Sequence, residues 1–357
     1  MNRELIGKRI KAILHELNEK KIDCLIVTKP ANVTYTTGFM GDDSWAAITK
    51  RAVYLLTDSR YTEQAEKECI GCGIIQRKDS LADAAAKLFK KLKSVRTVAV
   101  EKSTSVAAFG ALKKHVKLRL KATSDIIESV RRTKDSSEFA AIKAAARIAA
   151  EALKQTLRYI KPGVTESELA GMLDFEIRKL GARNSFETIV AFGPNASRPH
   201  HQPSKRKLKK RDTVLIDFGA RYKGYCSDIT RSFAVGKPTR LFERAYDAVE
   251  QAQAAAIQMI KAGVEMVKVD AAARGVISSY DLPVYGHGTG HGFGLEIHEL
   301  PFLKAEAKGK LKAGEVITIE PGVYIPGKLG VRIEDDVLVT ESGCKILTRS
   351  CPHTLTI

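Results

Sequence analysis

The stretch Ile160-Lys161-Pro162-Gly163-Val164 returns as Ile260-Lys261-Ala262-Gly263-Val264, at an offset of 100 residues. Each copy closes an Ala-rich run of helical periodicity and leads into a shorter one. Upstream of the first, Asp135 with Glu138 three places on predicts a capped helix, stopped at Pro162-Gly163. Thr165 and Glu168 form the next capping box, and that helix ends at Gly181. From Leu241 to Ile277 the order recurs: helix, glycine stop, shorter helix. This part of the chain reads as two similar α/β halves related by a pseudo-twofold, with a site between them.

Ahead of these repeats the texture is different. The amphipathic helix with Leu5, Ile6, Ile10, Ile13, Leu14 and Leu17 leads into the apolar strand of residues 22–28. Residues 32–39, NVTYTTGF, read as a loop or short strand, and WAAIT and AVYLLT as paired strands. A helix near 80–93, a strand at 97–101 and a helix near 105–114 complete an α/β domain. The boundaries are set at 1–127 and 128–357.

Length and composition bound the function. The 357 residues allow two cores, and 44% hydrophobic with 28% charged residues is a globular composition. The charged start is not a secretion signal and no apolar run spans a bilayer, so a cytoplasmic enzyme without a membrane partner is expected. The single Cys69/Cys72 pair, without a second pair or nearby histidines, reads as reduced thiols. The net charge of +18 raises nucleic acid as a partner, with KRKLKKR at 205–211 as the obvious patch. The remaining cations are spread along the chain, aromatics make up 6%, and no binding motif appears, so nucleic acid is disfavoured.

Chemistry concentrates later. YGHGTGHGFGLEIHE, residues 285–299, carries a glycine at every second place from Gly286 to Gly294. It fails the dinucleotide fingerprint and the zinc-protease helix on spacing. Extended backbone would put Tyr285, His287, Thr289, His291, Phe293 and Leu295 on one face, with the glycine face open to close approach. In residues 213–235 a turn centred between Tyr222 and Lys223 would set Asp217 directly opposite Asp228. Like charges so placed repel, and a cation between them removes the conflict. A second hairpin, turning near Gly327, sets Glu320 and Glu334 on opposite arms, with Arg332 on the face of Glu334 ready to orient a carboxylate. Four carboxylates and one imidazole suit two divalent ions better than one. Oxygen-dominated ligation favours manganese, with cobalt, iron or zinc also fitting.

The order IDFG, SDITRSF, HGTGHGFGLEIHE, TIEPGVY, VRIEDD resembles the M24 metallopeptidases: aminopeptidase P, prolidase and methionine aminopeptidase, the pita-bread family. NVTYTTGF and LLTDSRYTEQA resemble the creatinase-type N-terminal domain of the aminopeptidase P and prolidase branch, which methionine aminopeptidases lack. The implied fold is α/β: a small creatinase-like domain, then a pseudo-twofold pita-bread α+β catalytic domain. The family's five ligand positions fall on Asp217, Asp228, His291, Glu320 and Glu334, with His291 the second histidine of H-G-x-x-H. By the same resemblance His298 contacts the substrate carbonyl, and His200 lines the cleft near the leaving group, its neighbour His201 standing where many relatives carry glycine. His287 lines the proline pocket.

The resemblance implies hydrolysis of the Xaa-Pro bond at the N-terminus of proline-containing peptides by a hydroxide bridging two metals. Glu320 would pass its proton to the proline nitrogen. Many dipeptidase relatives read His-Glu-x-Pro-Arg where this chain has His298-Glu-Leu-Pro-Phe302. Loss of that arginine points to an aminopeptidase P-like activity, with Xaa-Pro dipeptidase (prolidase) as the alternative if Lys304 or Lys308 substitutes. The complete ligand set argues against a binding module without catalysis, and the family implies a homodimer.

Overall fold

The first helix-and-strand alternation closes at Arg131, where the chain divides into two units, the second running over residues 132–357. The structure, a computed structural model, describes residues 3–357; Met1 and Asn2, with which the expected first domain begins, lie outside the described residues.

In the first unit α1 (Arg3–Glu19) buries Ile6, Ile13 and Leu17 along one stripe. The strands are β1 (Cys24–Val27), β2 (Trp45–Thr49), β3 (Val53–Thr57), β4 (Cys72–Gln76), β5 (Thr97–Glu101) and β6 (Arg119–Thr123). They form one sheet in the order β4-β3-β2-β1-β5-β6. β2 runs antiparallel to both its neighbours, and the other adjacent pairs are parallel. Between them lie α2 (Pro30–Thr37), α3 (Thr62–Glu68), α4 (Leu81–Lys91) and α5 (Val106–His115), and α6 (Ile126–Arg131) follows β6. NVTYTTGF is helical over most of its length, not the expected loop or strand. Pro30 presets the first turn and Gly38, at φ 84, ends it, while Thr36 and Thr37 bond back to carbonyls within the turn. These terminal signals outweigh the low helix propensity of its threonines.

The second unit opens with α7 (Ser136–Thr156) and α8 (Glu166–Lys179), both carrying complete capping boxes, at Asp135/Glu138 and Thr165/Glu168. Six short strands follow: β7 (Arg183–Asn184), β8 (Ile189–Phe192), β9 (Thr213–Phe218), β10 (Ala220–Tyr222), β11 (Tyr225–Cys226) and β12 (Ile229–Ala234). Then come α9 (Arg240–Met259) and α10 (Met266–Ser279), with β13 (Gly290–Gly292), β14 (Glu299–Leu303), β15 (Val316–Ile319), β16 (Gly322–Ile325), β17 (Leu329–Arg332), β18 (Asp335–Val339) and β19 (Cys344–Ile346). The sheets order as β12-β9-β8, β11-β10-β7, β14-β13-β15-β18-β19 and β16-β17.

The internal repeat is written in the hydrogen bonds. Gly163 N–H donates to Leu208 O and Leu208 N–H to Val164 O; Gly263 and Leu311 make the same exchange with Val264. Thr165 bridges Lys207 as Glu265 bridges Lys310. Asp212 accepts from Lys209 N–H and Glu315 from Lys312 N–H, each at 3.0 Å. Each half wraps its helix pair over its own apolar cluster. Arg211 even takes the left-handed conformation, φ 69, that its counterpart gives to Gly314 at φ 87; for a side chain this costs about 1–2 kcal/mol.

Candidate metal centre and substrate cleft

β9 and β12 are fully buried, and their ladder places Asp217 opposite Thr230 and Phe218 opposite Ile229. The expected direct pairing of Asp217 with Asp228 is therefore corrected. The tight turn is Lys223-Gly224, at φ 49 and 86, the two left-handed positions of a type I′ hairpin, and the register shifts by two residues. Asp228, two before Thr230, becomes a diagonal neighbour of Asp217 on the same face of the ribbon.

The second hairpin follows its expected register. Gly322 pairs with Arg332 and Ile319 with Asp335, so Glu320 and Glu334 face each other between two ladders in one register. Glu334 is locked to the first hairpin: its N–H donates to Thr230 O at 3.1 Å and its Oε2 accepts from Thr230 Oγ1 at 2.6 Å.

The glycine-rich stretch forms a shorter strand than expected. Residues 290–292 alone are β13, with a register shift between His291 and Gly292. A Cβ on Gly290 would lie 1.9 Å from Thr318 O, and one on Gly292 2.2 Å from Leu300 O, so neighbouring backbone takes up the glycine face. The other face is not a continuous row either. Tyr285, Phe293 and Leu295 are buried in the interior, Thr289 bonds to Asp270, and His287 and His291 reach the cleft.

Asp228, His291 and Glu334, all buried, present ligand atoms within 4.8 Å of one another. His291 Nε2 lies 3.4 Å from Glu320 Oε1 and 3.6 Å from Asp228 Oδ2, and its Nδ1 meets Gly292 O at 3.1 Å. With Nδ1–H on that carbonyl, the Nε2 lone pair faces the carboxylates. Asp217 is turned onto Arg332, whose Nη2 donates to Oδ2 at 2.6 Å, while its Oδ1 is buried without a hydrogen-bond partner.

Without a counter-cation these groups are frustrated. Burial, then Glu334, Asp217 and Glu320, push Asp228 well above the usual carboxylate range. Burial, then Glu320 and Asp217, do the same to Glu334. Burial raises Glu320 to about 7, with Arg332 opposing and Asp217 reinforcing. Burial, then His298, lower His291 to about 4, so its imidazole is neutral as a metal ligand requires. An orphaned buried oxygen beside carboxylates that raise one another is the defect a divalent cation repairs. The donor set fits metal.

The other histidines take separate places around a cleft of about 490 Å³. His298 is exposed there, its ring 4.5 Å from that of His291, and partial burial with the field of His200 lowers its pKa. His200 is exposed on the cleft wall. His201 is buried and bonds through Nε2 to Glu166 at 2.8 Å. His287 gives Nδ1–H to Gly288 O at 2.8 Å and accepts at Nε2 from Tyr324 Oη at 3.0 Å, and burial lowers it to about 4.

Several participants escape a reading of the sequence. Tyr324 Oη accepts from Arg332 Nη1 at 2.8 Å, joining His287 to the guanidinium that holds Asp217. Asp336 accepts the Asp228 N–H at 3.2 Å, fixing the backbone of that residue. Glu166 gathers Phe192 N–H, Asn195 Nδ2, His201 and Ser204 N–H, so one buried carboxylate ties down the loop carrying His200. Hydrophobic neighbours flag Tyr324 as a strand residue and nothing more; Glu166 sits in the first turn of a helix, where a carboxylate needs no further explanation.

Residues 140–341, more than half the chain, match the profile of metallopeptidase family M24. The chain belongs to metallopeptidase family M24. Residues 9–133 match the creatinase/prolidase N-terminal domain. The uncharacterized peptidase YqhT of Bacillus subtilis is 38% identical over 332 residues, covering 92% of this chain and 94% of that one. The solved Xaa-Pro dipeptidase from Bacillus anthracis superposes with a TM-score of 0.95 at 38% identity, covering 99% of this chain and all of its own. The X-Pro aminopeptidase from Thermotoga maritima gives 0.87 at 34%, covering 95% and 99%. Two α/β units, the second with two pseudo-symmetric halves, are the architecture this family membership entails. No helix among the described residues is long and apolar enough to cross a membrane.

Proposed function

We propose that this metallopeptidase is an exopeptidase that cleaves the Xaa-Pro bond at the N-terminus of peptides, in the manner of aminopeptidase P. The observation that carries the reading is the convergence of Asp228, His291 and Glu334, with Glu320 and Asp217 beside them, at the base of a cleft lined by His200, His287 and His298. Asp217, Asp228, His291, Glu320 and Glu334 would hold two divalent ions, manganese foremost because oxygen donors dominate. When bound, such ions make hydroxide available near neutral pH and polarise a carbonyl.

The chain's own groups supply the rest. Glu320, at the cluster beside the scissile bond, would accept a proton and hand it to the departing proline nitrogen, which as a tertiary amide has none of its own. His298 is placed to donate to the scissile carbonyl oxygen as charge develops there. The Tyr324 hydroxyl and Arg332 keep His287 in one tautomer, its ring presented to the proline side. Glu166 holds the loop that brings His200 to the leaving group.

Phe302 and Lys304 both line the cleft and both are exposed, whereas Lys308 lies outside the lining. A cleft whose cation is exposed admits a chain that continues past proline, which favours the aminopeptidase reading. The second reading, a dipeptidase, rests on Lys304 itself, an ammonium able to meet a proline carboxylate. Of the relatives above, one is described as a dipeptidase and one as an aminopeptidase. Turnover of Xaa-Pro and Xaa-Pro-Yaa by manganese-loaded protein separates the two: hydrolysis of the tripeptide supports the first reading, and hydrolysis of the dipeptide alone overturns it.

A further inference from the structure

The first unit concentrates its positive charge at one end of its sheet. No acidic residue occurs between Asp83 and Glu101, or between Glu101 and Asp125. Glu101 is buried at the far ends of the strands, where its carboxylate accepts from Thr28 and Lys29 N–H. Apart from Lys87 and Lys102, the cations of this region lie toward the opposite edge, where β1, β5 and β6 begin.

Pairing of Cys24 with Thr49 and Val98, and of Thr97 with Arg119, puts Arg119 at the start of β6 and Lys21, Lys50 and Arg96 just outside the ends of β1, β2 and β5, so that four consecutive strands carry a cation at that edge. Adjacent strands lie about 4.8 Å apart, so these four cations span roughly 14 Å. Arg119 N–H donates to Arg96 O at 3.2 Å, and Lys121 Nζ reaches Lys20 O at 2.8 Å, closing the row. Helices α4 and α5 end at the same edge, because Lys91 precedes Arg96 by five residues and His115 precedes Lys117 by two. They add the exposed Lys90, Lys91, Lys93, Lys113, Lys114 and Lys117. Against them stand Glu19, Asp23 and Asp83, the last 2.8 Å from His115. The Asp23 carboxylate is already bonded to Arg96 and Thr97 N–H and lies 3.3 Å from Lys50.

Against the expectation from composition, because the fold gathers cations that the sequence leaves dispersed, we propose that this edge docks the phosphate backbone of nucleic acid without reading its sequence. The observations favour nucleic acid over other polyanions. The exposed large hydrophobics of the described residues, Met40 and Val106 among them, lie at other places than these strand beginnings, so nothing here would seat in a bilayer or form the apolar centre of a protein interface. Interfaces with nucleic acid are instead polar and strongly positive. Among the described residues no Phe, Tyr or Trp ring stands with these cations to stack a base, which leaves backbone contact. The basic run at 205–211 is a poorer candidate: Leu208 is buried, Lys207 and Leu208 are paired to residues 164–165, and Arg206 is held by Asp212. The proposal stands apart from the peptidase reading and does not need it.

The test is fluorescence anisotropy of the full chain with a labelled DNA duplex of arbitrary sequence, about 24 bp, between about 50 and about 200 mM salt. Wild-type protein should bind and weaken with salt. The double change Lys117→Glu with Arg119→Glu should weaken binding at least about tenfold at low salt and flatten the log–log salt slope by about 1.8, or 0.9 per phosphate contact. Lys93→Glu with Arg96→Glu should do the same, guarding against a misfolded first variant. Lys209→Glu with Lys210→Glu should leave affinity unchanged, and peptide hydrolysis should survive in all three. Absence of binding at low salt, an equal loss from the 209/210 variant, or uptake by phosphatidylserine vesicles with no binding of the duplex would each overturn the proposal.

Discussion

Arg332 Nη2 donates to Asp217 Oδ2 across 2.6 Å, and the other oxygen of that carboxylate is buried with no partner. The guanidinium thus aims one free oxygen of Asp217 at the cluster, while Nε holds Thr230, which in turn holds Glu334. One cation orients carboxylates from both hairpins. Arg332→Lys keeps the charge and loses the fork. It should lower metal affinity or turnover by about 10–100-fold. Titration of metal into the chelated variant checks this; wild-type affinity and turnover together would contradict it.

Glu166→Gln should act on the loop, not on the metal. Burial raises the Glu166 carboxyl, but bonds from Ser204, His201, Asn195 and Phe192 N–H outweigh it and hold the pKa below the usual value. A depressed carboxyl contributes stability above its unfolded pKa and loses it as pH falls through the folded one. The variant should therefore melt lower than wild type at pH 7, with the gap closing below about pH 4. Turnover should drop as His200 loses its position, while metal affinity stays put.

Metal removal should show the opposite sign. Asp228, Glu334 and Glu320 are raised in the metal-free site, so their contribution is present below the ordinary carboxylate pKa and is lost as pH rises through the shifted values, for Glu320 about 7. Bound cations replace those protons. Chelation should lower Tm more at pH 8 than at pH 5, and metal loading should release protons. A Tm gap independent of pH, measured by calorimetry, would contradict this.

Lys304→Ala should raise KM for an Xaa-Pro dipeptide by about two- to fivefold, the worth of an exposed charge pair. The KM for Xaa-Pro-Yaa should move less, because its carboxylate lies further along the chain. Equal effects on both substrates would remove Lys304 from carboxylate recognition.

Much of this site could be read from sequence where the signal is local. The hairpin of Glu320 and Glu334 turns at Gly327, φ 69, and a glycine there marks its centre. The capping boxes at Asp135 and Thr165 are likewise three-residue signals. The first hairpin misled because Lys223 occupies a left-handed position usually filled by Asn, Asp or Gly, moving the turn by one place. The bond between His201 and Glu166 was closed to sequence because the two lie 35 residues apart. Tyr324 and Asp336 were missed for the same reason: their partners Arg332, His287 and Asp228 come from other strands and loops.

We propose that the five residues Asp217, Asp228, His291, Glu320 and Glu334 hold the metal with which this chain hydrolyses Xaa-Pro bonds. The most direct measurement is metal content per chain after manganese loading and dialysis, taken with hydrolysis of Xaa-Pro-Yaa, for wild type and Asp228→Asn. Wild type should retain about two ions and turn over the peptide, and Asp228→Asn should lose both. Fewer than about one ion per wild-type chain with no hydrolysis, or an unchanged metal content in Asp228→Asn, would contradict this.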